Sequence, residues 1–240
     1  MFARPQARTR YDRAVQRQLW LELPPLSPQA PRRLLVFLHG AGSTPEVFVP
    51  VAIAWQLKFP GATAAIVEGL RPASLQGGRD WFDARGVAAD RAGRIDAASR
   101  ELAERLRAVQ QDTGVSPADT VVVGFSQGAT MALALARLRP SPVAIAVSYA
   151  GQLARPIAPG EHLHPTVHLL HGELDTVVSP VHAGRAFRGL QATGSDVTLD
   201  IVEDESHSIG QAMINIGTTR VLQTLFRGRT PRGRSTGVLH

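Results

Sequence analysis

Six stretches of this chain are short and apolar: Leu34 to Leu38, Ala64 to Val67, Thr120 to Val123, Val143 to Ser148, Val167 to Leu170 and Val197 to Val202. The first five run without polar alternation. A strand with one face in water alternates apolar and polar residues. Continuous runs need cover on both faces, which is the situation of parallel strands in a layered fold. Helical patterns lie between the runs. Residues 90–112 place Ile95, Leu102, Leu106 and Val109 on one stripe, with Glu101 and Arg105 four apart on the side expected to be exposed. Residues 127–138 are apolar nearly all round, as a central buried helix would be, and 181–192 and 208–226 also read as helices. Thr44-Pro45-Glu46 reads as a helix start, with Pro50 predicting a short or interrupted helix. Strand and helix therefore alternate through the body. The pattern predicts an α/β fold, a mostly parallel central sheet with helices on both faces. In open sheets of this kind sites form at the carboxyl ends of the strands, so residues just after each strand carry most weight.

A chain of 240 residues, 44 % of them hydrophobic, suits one domain with tails. We divide it into a basic N-terminal segment, 1–33, with a possible edge strand, a folded body, 34–226, and an Arg-rich C-terminal tail, 227–240, expected to be mobile. There is no cysteine, which excludes disulfides, cysteine-based zinc sites and thiol catalysis. The net charge of +6 raises the question of nucleic acid, but its distribution argues otherwise. Residues 1–33 carry seven Arg against Asp12 and Glu22, and residues 206–240 carry five Arg and no acid. The body between them, with 14 basic and 18 acidic residues, is mildly acidic. No basic stripe with interleaved aromatics appears, and no apolar run approaches the roughly 20 residues of a membrane helix. The expectation is a soluble, cytoplasmic protein that binds no nucleic acid, and nothing specifies an oligomeric state.

The most informative turn is Gly124-Phe125-Ser126-Gln127-Gly128, directly after one strand and directly before one helix. This G-x-S-x-G context forces the chain to reverse within about one residue and strains the serine backbone. Glycines two before and two after let neighbouring backbone pass without a Cβ clash. The serine hydroxyl then stands clear at the start of a helix, a nucleophile position, and the Gln127 N–H lies where it can donate to a developing oxyanion. After the first strand comes His39-Gly40-Ala41-Gly42-Ser43. A turn of this type is expected to supply the second oxyanion N–H, which we assign to Ala41, with His39 as a hydrogen-bonding brace. After the fifth strand comes His171-Gly172-Glu173-Leu174-Asp175-Thr176-Val177-Val178. Asp175 is the candidate acid. Glu173 is its nearest rival, and Asp196 and Asp200 are poorer placed. After the last strand comes His207, taken to open the final helix; a neutral imidazole suits a base that accepts a serine proton, and a carboxylate fixes its tautomer.

The order Ser126, Asp175, His207 is that of the α/β-hydrolases. The sequence resembles that superfamily, and within it the small carboxylesterase group that includes acyl-protein thioesterase-like and bacterial phospholipase/carboxylesterase proteins. The residues that carry the resemblance are LHGAGS (38–43), WFD (81–83), GFSQG (124–128), HGELDTVV (171–178) and SHSI (206–209). The resemblance implies ester or thioester hydrolysis of a small-molecule substrate without a cofactor. It implies Ser126, Asp175 and His207 as the triad and Ala41 and Gln127 as oxyanion donors. Eukaryotic thioesterase-like members carry a larger apolar residue and an acid where this chain has Ala41 and Ser43, which weighs against long-chain or lipid-modified protein substrates. Members with lids insert a cap before the strand at 166, whereas here only about 15 residues are available, enough for a loop and not for a cap domain. Residues 71–92 form a long irregular connection in which Trp81 and Phe82 are expected to line the substrate pocket.

A second constellation competes for attention. Glu161, His162, His164, His168 and His171 crowd into 11 residues. Pro165 precludes a helical pair of ligands and His168 falls in an apolar strand, so no metal site is assigned. No phosphate-binding glycine motif follows any strand. Other reactions on the same triad remain open, acyl transfer, peptide hydrolysis or dienelactone hydrolysis among them, as does a non-catalytic binding protein on the same fold.

Overall fold

The computed structural model describes residues 20–27, 33–73, 77–85, 87 and 90–227. Expectations for residues 1–19 and for the tail from 228 onward lie outside the described residues. The described chain forms β1 (Trp20–Leu23), β2 (Arg33–Leu38), α1 (Pro45–Gln56), β3 (Ala62–Val67), β4 (Arg71–Pro72), β5 (Arg79–Asp80), α2 (Arg91–Thr113), β6 (Thr120–Phe125), α3 (Gln127–Arg137), β7 (Ile145–Tyr149), β8 (Thr166–Gly172), α4 (Val181–Ala192), β9 (Val197–Val202) and α5 (Gln211–Phe226). Seven strands make one sheet in the order β1-β3-β2-β6-β7-β8-β9. All neighbours are parallel except β1, which runs antiparallel to β3 at the edge.

The register explains the continuous apolar runs. Ala65, Val36, Val122, Ala146 and Val167 lie side by side across five strands and face one core. The adjacent row, Ile66, Phe37, Val123 and Val147, faces the other. Helices α2, α3 and α4 cover the first face through Leu102, Leu106, Met131 and Leu190. Helices α1 and α5 cover the second through Phe48, Trp55, Met213 and Val221. Every central strand therefore needs apolar residues at consecutive positions. Residues 150–165, between β7 and β8, contain neither helix nor strand, so no cap is built there. Among the described residues no helix is long and apolar enough to cross a membrane.

Three local expectations are corrected. Helix α1 is not interrupted: Pro50 sits inside it. Pro50 has no N–H to offer the Glu46 carbonyl, but both residues are exposed, so that carbonyl is not left in the core, while Phe48, Ala52 and Trp55 anchor the buried face. Arg105 is not on an exposed side. Its side chain is only 14 % exposed; it meets Glu101 at 3.2 Å and also donates to the Glu68 carbonyl. The connection from 71 is not wholly irregular, because β4 and β5 pair as a two-residue antiparallel ladder, too short to leave an alternation in the sequence.

His168 stands where the apolar row of the second face would continue, opposite Val147. It is fully buried, with hydrogen bonds to the hydroxyls of Thr198 (2.8 Å) and Thr224 (3.1 Å). Hydroxyls donate or accept, so they satisfy a neutral ring in either tautomer. Burial depresses its pKa to about 4. In the unfolded chain a histidine titrates near 6.5, so below that pH the unfolded state binds the extra proton and stability falls as pH drops towards 4. From this group alone the loss between pH 7 and pH 5 is about 2 kcal/mol. His39 and His171, also depressed by burial, act in the same direction. Urea unfolding of His168→Gln at the two pH values should therefore show a pH dependence smaller by about 2 kcal/mol, whatever the substitution does to absolute stability. An unchanged pH dependence would mean that His168 is charged or hydrated in the folded protein.

Candidate active site

At the carboxyl end of β6 the chain turns into α3 through Ser126, whose backbone has φ 53° and ψ −113°. A side-chain-bearing residue is strained there, and the surroundings impose the strain. A Cβ on Gly124 would lie 2.3 Å from the Gly128 carbonyl oxygen, and one on Gly128 would lie 2.2 Å from that of Leu38. The turn thus packs backbone against backbone, and against β2. The first bond of α3 is from the Thr130 N–H to the Ser126 carbonyl, so the ladder leaves the Gln127 N–H free to meet a ligand.

Three post-strand loops meet at this turn. Asp175, after β8, is buried, and one carboxylate oxygen accepts the N–H groups of Val177 and Val178 at 2.9 and 2.8 Å. The other oxygen accepts from His207 Nδ1 at 2.7 Å. His207 Nε2 in turn accepts from the Ser126 hydroxyl at 3.0 Å. Burial opposes ionisation of Asp175, but the bonds from His207, Val178 and Val177 outweigh it and hold the carboxyl below the usual range. The acid is a carboxylate near neutrality, which fixes the proton of neutral His207 on Nδ1 and turns the Nε2 lone pair towards the serine. The Phe125 ring lies 4.9 Å from that of His207. His207 does not open the final helix: α5 begins at Gln211, with Gly210 as its N-cap. Residues 203–210 contain neither helix nor strand; within them the Glu205 carboxylate accepts from Ser208 at 2.9 Å and lies where a Gly210 side chain would go. That loop crosses the end of β8 closely, since a Cβ on Gly172 would lie 2.4 Å from the Glu205 carbonyl.

The turn after β2 is held from three sides. His39 is buried. Its Nδ1–H donates to the Gly40 carbonyl at 2.8 Å, while Nε2 accepts from the Gly69 N–H at 3.2 Å. Burial lowers its pKa, as a neutral brace requires. The Gly42 N–H is bonded to the Asp80 carboxylate (2.8 Å) and to the Arg79 carbonyl (3.0 Å). Gly42 is therefore unavailable as an oxyanion donor, and Ala41, on the exposed crest of the turn, is the candidate. Gly78 lets the hairpin reach this turn, because a Cβ there would lie 1.9 Å from the Gly42 carbonyl.

The other expected site residues divide. Trp81 and Phe82 are buried, at 0 and 2 % exposure, and do not line an open pocket. The Trp81 indole N–H donates to the His39 carbonyl at 2.7 Å, and the ring lies 5.2 Å from that of His39. The Gln127 side chain accepts from the Trp81 N–H at 2.7 Å and donates to the Phe82 carbonyl at 3.0 Å. Both aromatics thus tie their loop to the two segments expected to supply oxyanion donors. Glu173 is exposed; Asp196 is bound to Thr166 and Arg227, and Asp200 to Arg220. In the histidine-rich segment the rings of His162 and His164 pack edge to face at 5.5 Å, and the other members make contacts elsewhere. Glu161 is bonded by Arg137, His162 lies against the Thr193 carbonyl, and His171 meets the Val178 carbonyl. Sequence reading missed Asp80 as the anchor of Gly42 and the Gln127 side chain as a brace. Asp80 stands next to WFD, the only signal that pointed to it.

A family model described as phospholipase/carboxylesterase matches residues 26–221. Esterase YpfH of Escherichia coli (strain K12) is 33 % identical over 201 residues, 83 % of this chain and 86 % of that protein. The crystal structure of esterase PE8 superposes with a TM-score of 0.76 at 30 % identity, over 85 % of this chain and 97 % of that one. A carboxylesterase from Mesorhizobium loti shares the fold, with a TM-score of 0.70 at 22 % identity over 80 % of this chain and 88 % of that one.

The close packing of the serine turn yields a test. In Gly128→Ala the new methyl meets the carbonyls of Leu38 and His39, and backbone cannot yield by changing rotamer. The variant should lose at least about 2 kcal/mol in denaturant unfolding and most of its hydrolytic activity. Gly93→Ala, in open space on α2, is the control and should be neutral or stabilising. Equal stability of the two variants would show that the turn is looser than described.

Proposed function

Because the chain belongs to the phospholipase/carboxylesterase family and is a hydrolase of the carboxylesterase and thioesterase type, we propose that it cleaves small-molecule esters or thioesters through Ser126. The reading is carried by one observation, the continuous hydrogen-bond chain from Asp175 through His207 to the Ser126 hydroxyl. The Ser126 oxygen attacks the acyl carbonyl while His207 Nε2 takes its proton. Asp175 holds the ring and stabilises the imidazolium. The carbonyl oxygen, now an oxyanion, is stabilised by the N–H groups of Gln127 and Ala41. His207 then returns the proton to the departing alcohol or thiol, leaving an acyl-serine. A water molecule that gives its proton to His207 attacks this ester, and the acid departs as Ser126 recovers its proton. Atoms and charge balance without a cofactor.

The nucleophile is tested by Ser126→Ala. Alanine tolerates the φ of 53° no worse than serine, so the fold should keep its melting temperature. The rate constant kcat on a p-nitrophenyl ester should fall at least about 10³-fold. Near wild-type turnover by the purified variant would sink the assignment.

Acyl length follows from the missing cap. With 150–165 free of helix and strand and Trp81 and Phe82 turned into the core, the apolar side chains beside the acid, Leu174 and Val177, stand exposed to water, so among the described residues no cap encloses a long chain. Each buried CH₂ contributes about 0.8 kcal/mol, so a site that covers few carbons gains little from more of them. Across acetate to palmitate esters, kcat/KM should peak at short or medium chains, with no step in rate where the substrate forms micelles. A kcat/KM that climbs to palmitate, or a steep rise at the micellar threshold, would require an acyl tunnel or a lid.

A further inference from the structure

His171 has no part in the proposed chemistry, yet its ring is packed against it. The side chain is 1 % exposed. Its Nε2–H donates to the Val178 carbonyl at 2.6 Å, and the same nitrogen stands 3.2 Å from Asp175 Oδ2. Both neighbours are acceptors, so the proton is on Nε2. Nδ1 is buried and, among the described residues, has no hydrogen-bond partner. A second proton there would be a buried N–H without an acceptor, so the ring is held neutral. Val178 is consequently gripped by both of its backbone groups, the N–H on Asp175 Oδ1 and the carbonyl on His171. The oxygen that His171 approaches, Oδ2, is also the one that accepts His207 Nδ1–H.

We propose that His171 is a positioning residue for the acid: from the end of β8 it clamps the 175–178 loop and the Asp175 carboxylate, fixing the oxygen presented to His207. The inference rests on the reading of Asp175 and His207 as acid and base. The clamp is made by one nitrogen at the far edge of the ring, which predicts which substitute can replace it. The amide nitrogen of glutamine is as many bonds from Cα as Nε2. That of asparagine corresponds to Nδ1 and falls short.

The experiment measures kcat, KM and melting temperature for the wild type, His171→Leu, His171→Gln, His171→Asn, Asp175→Asn and the double variant His171→Leu/Asp175→Asn. His171→Leu should lower kcat at least about tenfold with KM within about twofold, because alignment for reaction is lost and substrate binding is not. His171→Gln should recover most of kcat and His171→Asn should not. If His171 acts through Asp175, the double variant should be no slower than Asp175→Asn alone. A residue that only stabilises the fold would lower the melting temperature in all three His171 variants and leave kcat per folded molecule unchanged. Wild-type kcat in His171→Leu, equal kcat in the Gln and Asn variants, or additive losses in the double variant would overturn the clamp. Should His171→Leu fail to fold, the Gln and Asn pair decides on its own. An inactive Asp175→Asn beside an unaffected His171→Leu removes only this inference, whereas an active Asp175→Asn removes the triad reading with it.

Discussion

The whole site depends on one backbone crossing. Between β6 and α3 the chain reverses so tightly that Gly124 abuts the Gly128 peptide and Gly128 abuts the end of β2. No side chain fits in either contact, and Ser126 absorbs the remaining strain at a positive φ. Such a conformation persists only when its surroundings over-determine it. Here α3 is buried almost all round, and the central strands β2, β6 and β7 are covered on both faces. The strain is local and the core that sustains it is large.

What the crossing does for chemistry is to stand one hydroxyl among three independent loops: His207 reaches it at 3.0 Å, Asp175 reaches His207, and the turn after β2 packs beside Phe125, while each loop has anchors of its own. The acid loop is closed by two N–H groups on Asp175 and by the His171 contact. The His207 loop is seated on Gly172 and closed on itself by the bond from Ser208 to Glu205. The turn after β2 is tied to 69, 79 and 80 through His39 and Gly42, and to Trp81 by the indole. Rigid seating costs entropy during folding, when it is offset by packing, and not at the moment of reaction. That is the condition for dipoles to act on a developing charge without reorganising first.

How much of this could be read from the sequence follows from the range of each interaction. The sheet was legible because burial on both faces leaves continuous apolar runs, and Ser126, Asp175 and His207, which the structure links by hydrogen bonds, could be picked out as candidates because they follow strands. Trp81 and Phe82 were misread because an aromatic in a long loop near a site looks the same whether it faces substrate or core. Their burial is a tertiary property: the rings pack in the core, and their backbone is bonded to Gln127, 45 or 46 positions away in the chain. The start of α5 was misplaced because the apolar pattern continues through Ile209, whereas the helix begins only after Gly210. Pro50 shows the opposite error, a strong local rule outweighed by an exposed position and a well-anchored buried face.

The histidines show how one fold separates structural imidazoles from a candidate base. His39, His168 and His171 are all buried, and burial disfavours the charge on each. Each ring has its hydrogen bonds fixed locally, to the backbone for His39 and His171 and to two threonine hydroxyls for His168. They serve as shaped, neutral connectors. His207 differs in every respect that proton transfer requires. Its side chain keeps 17 % exposure, one nitrogen faces an ionised carboxylate, and the other faces a hydroxyl with a proton to give. Asp175 lies between the two kinds, touching buried His171 and part-exposed His207 with the same oxygen. A second charged imidazole at that oxygen would compete with His207 for the carboxylate. A ring kept neutral by burial supplies a donor without that competition, which is why a buried histidine suits that place better than an arginine or a lysine would.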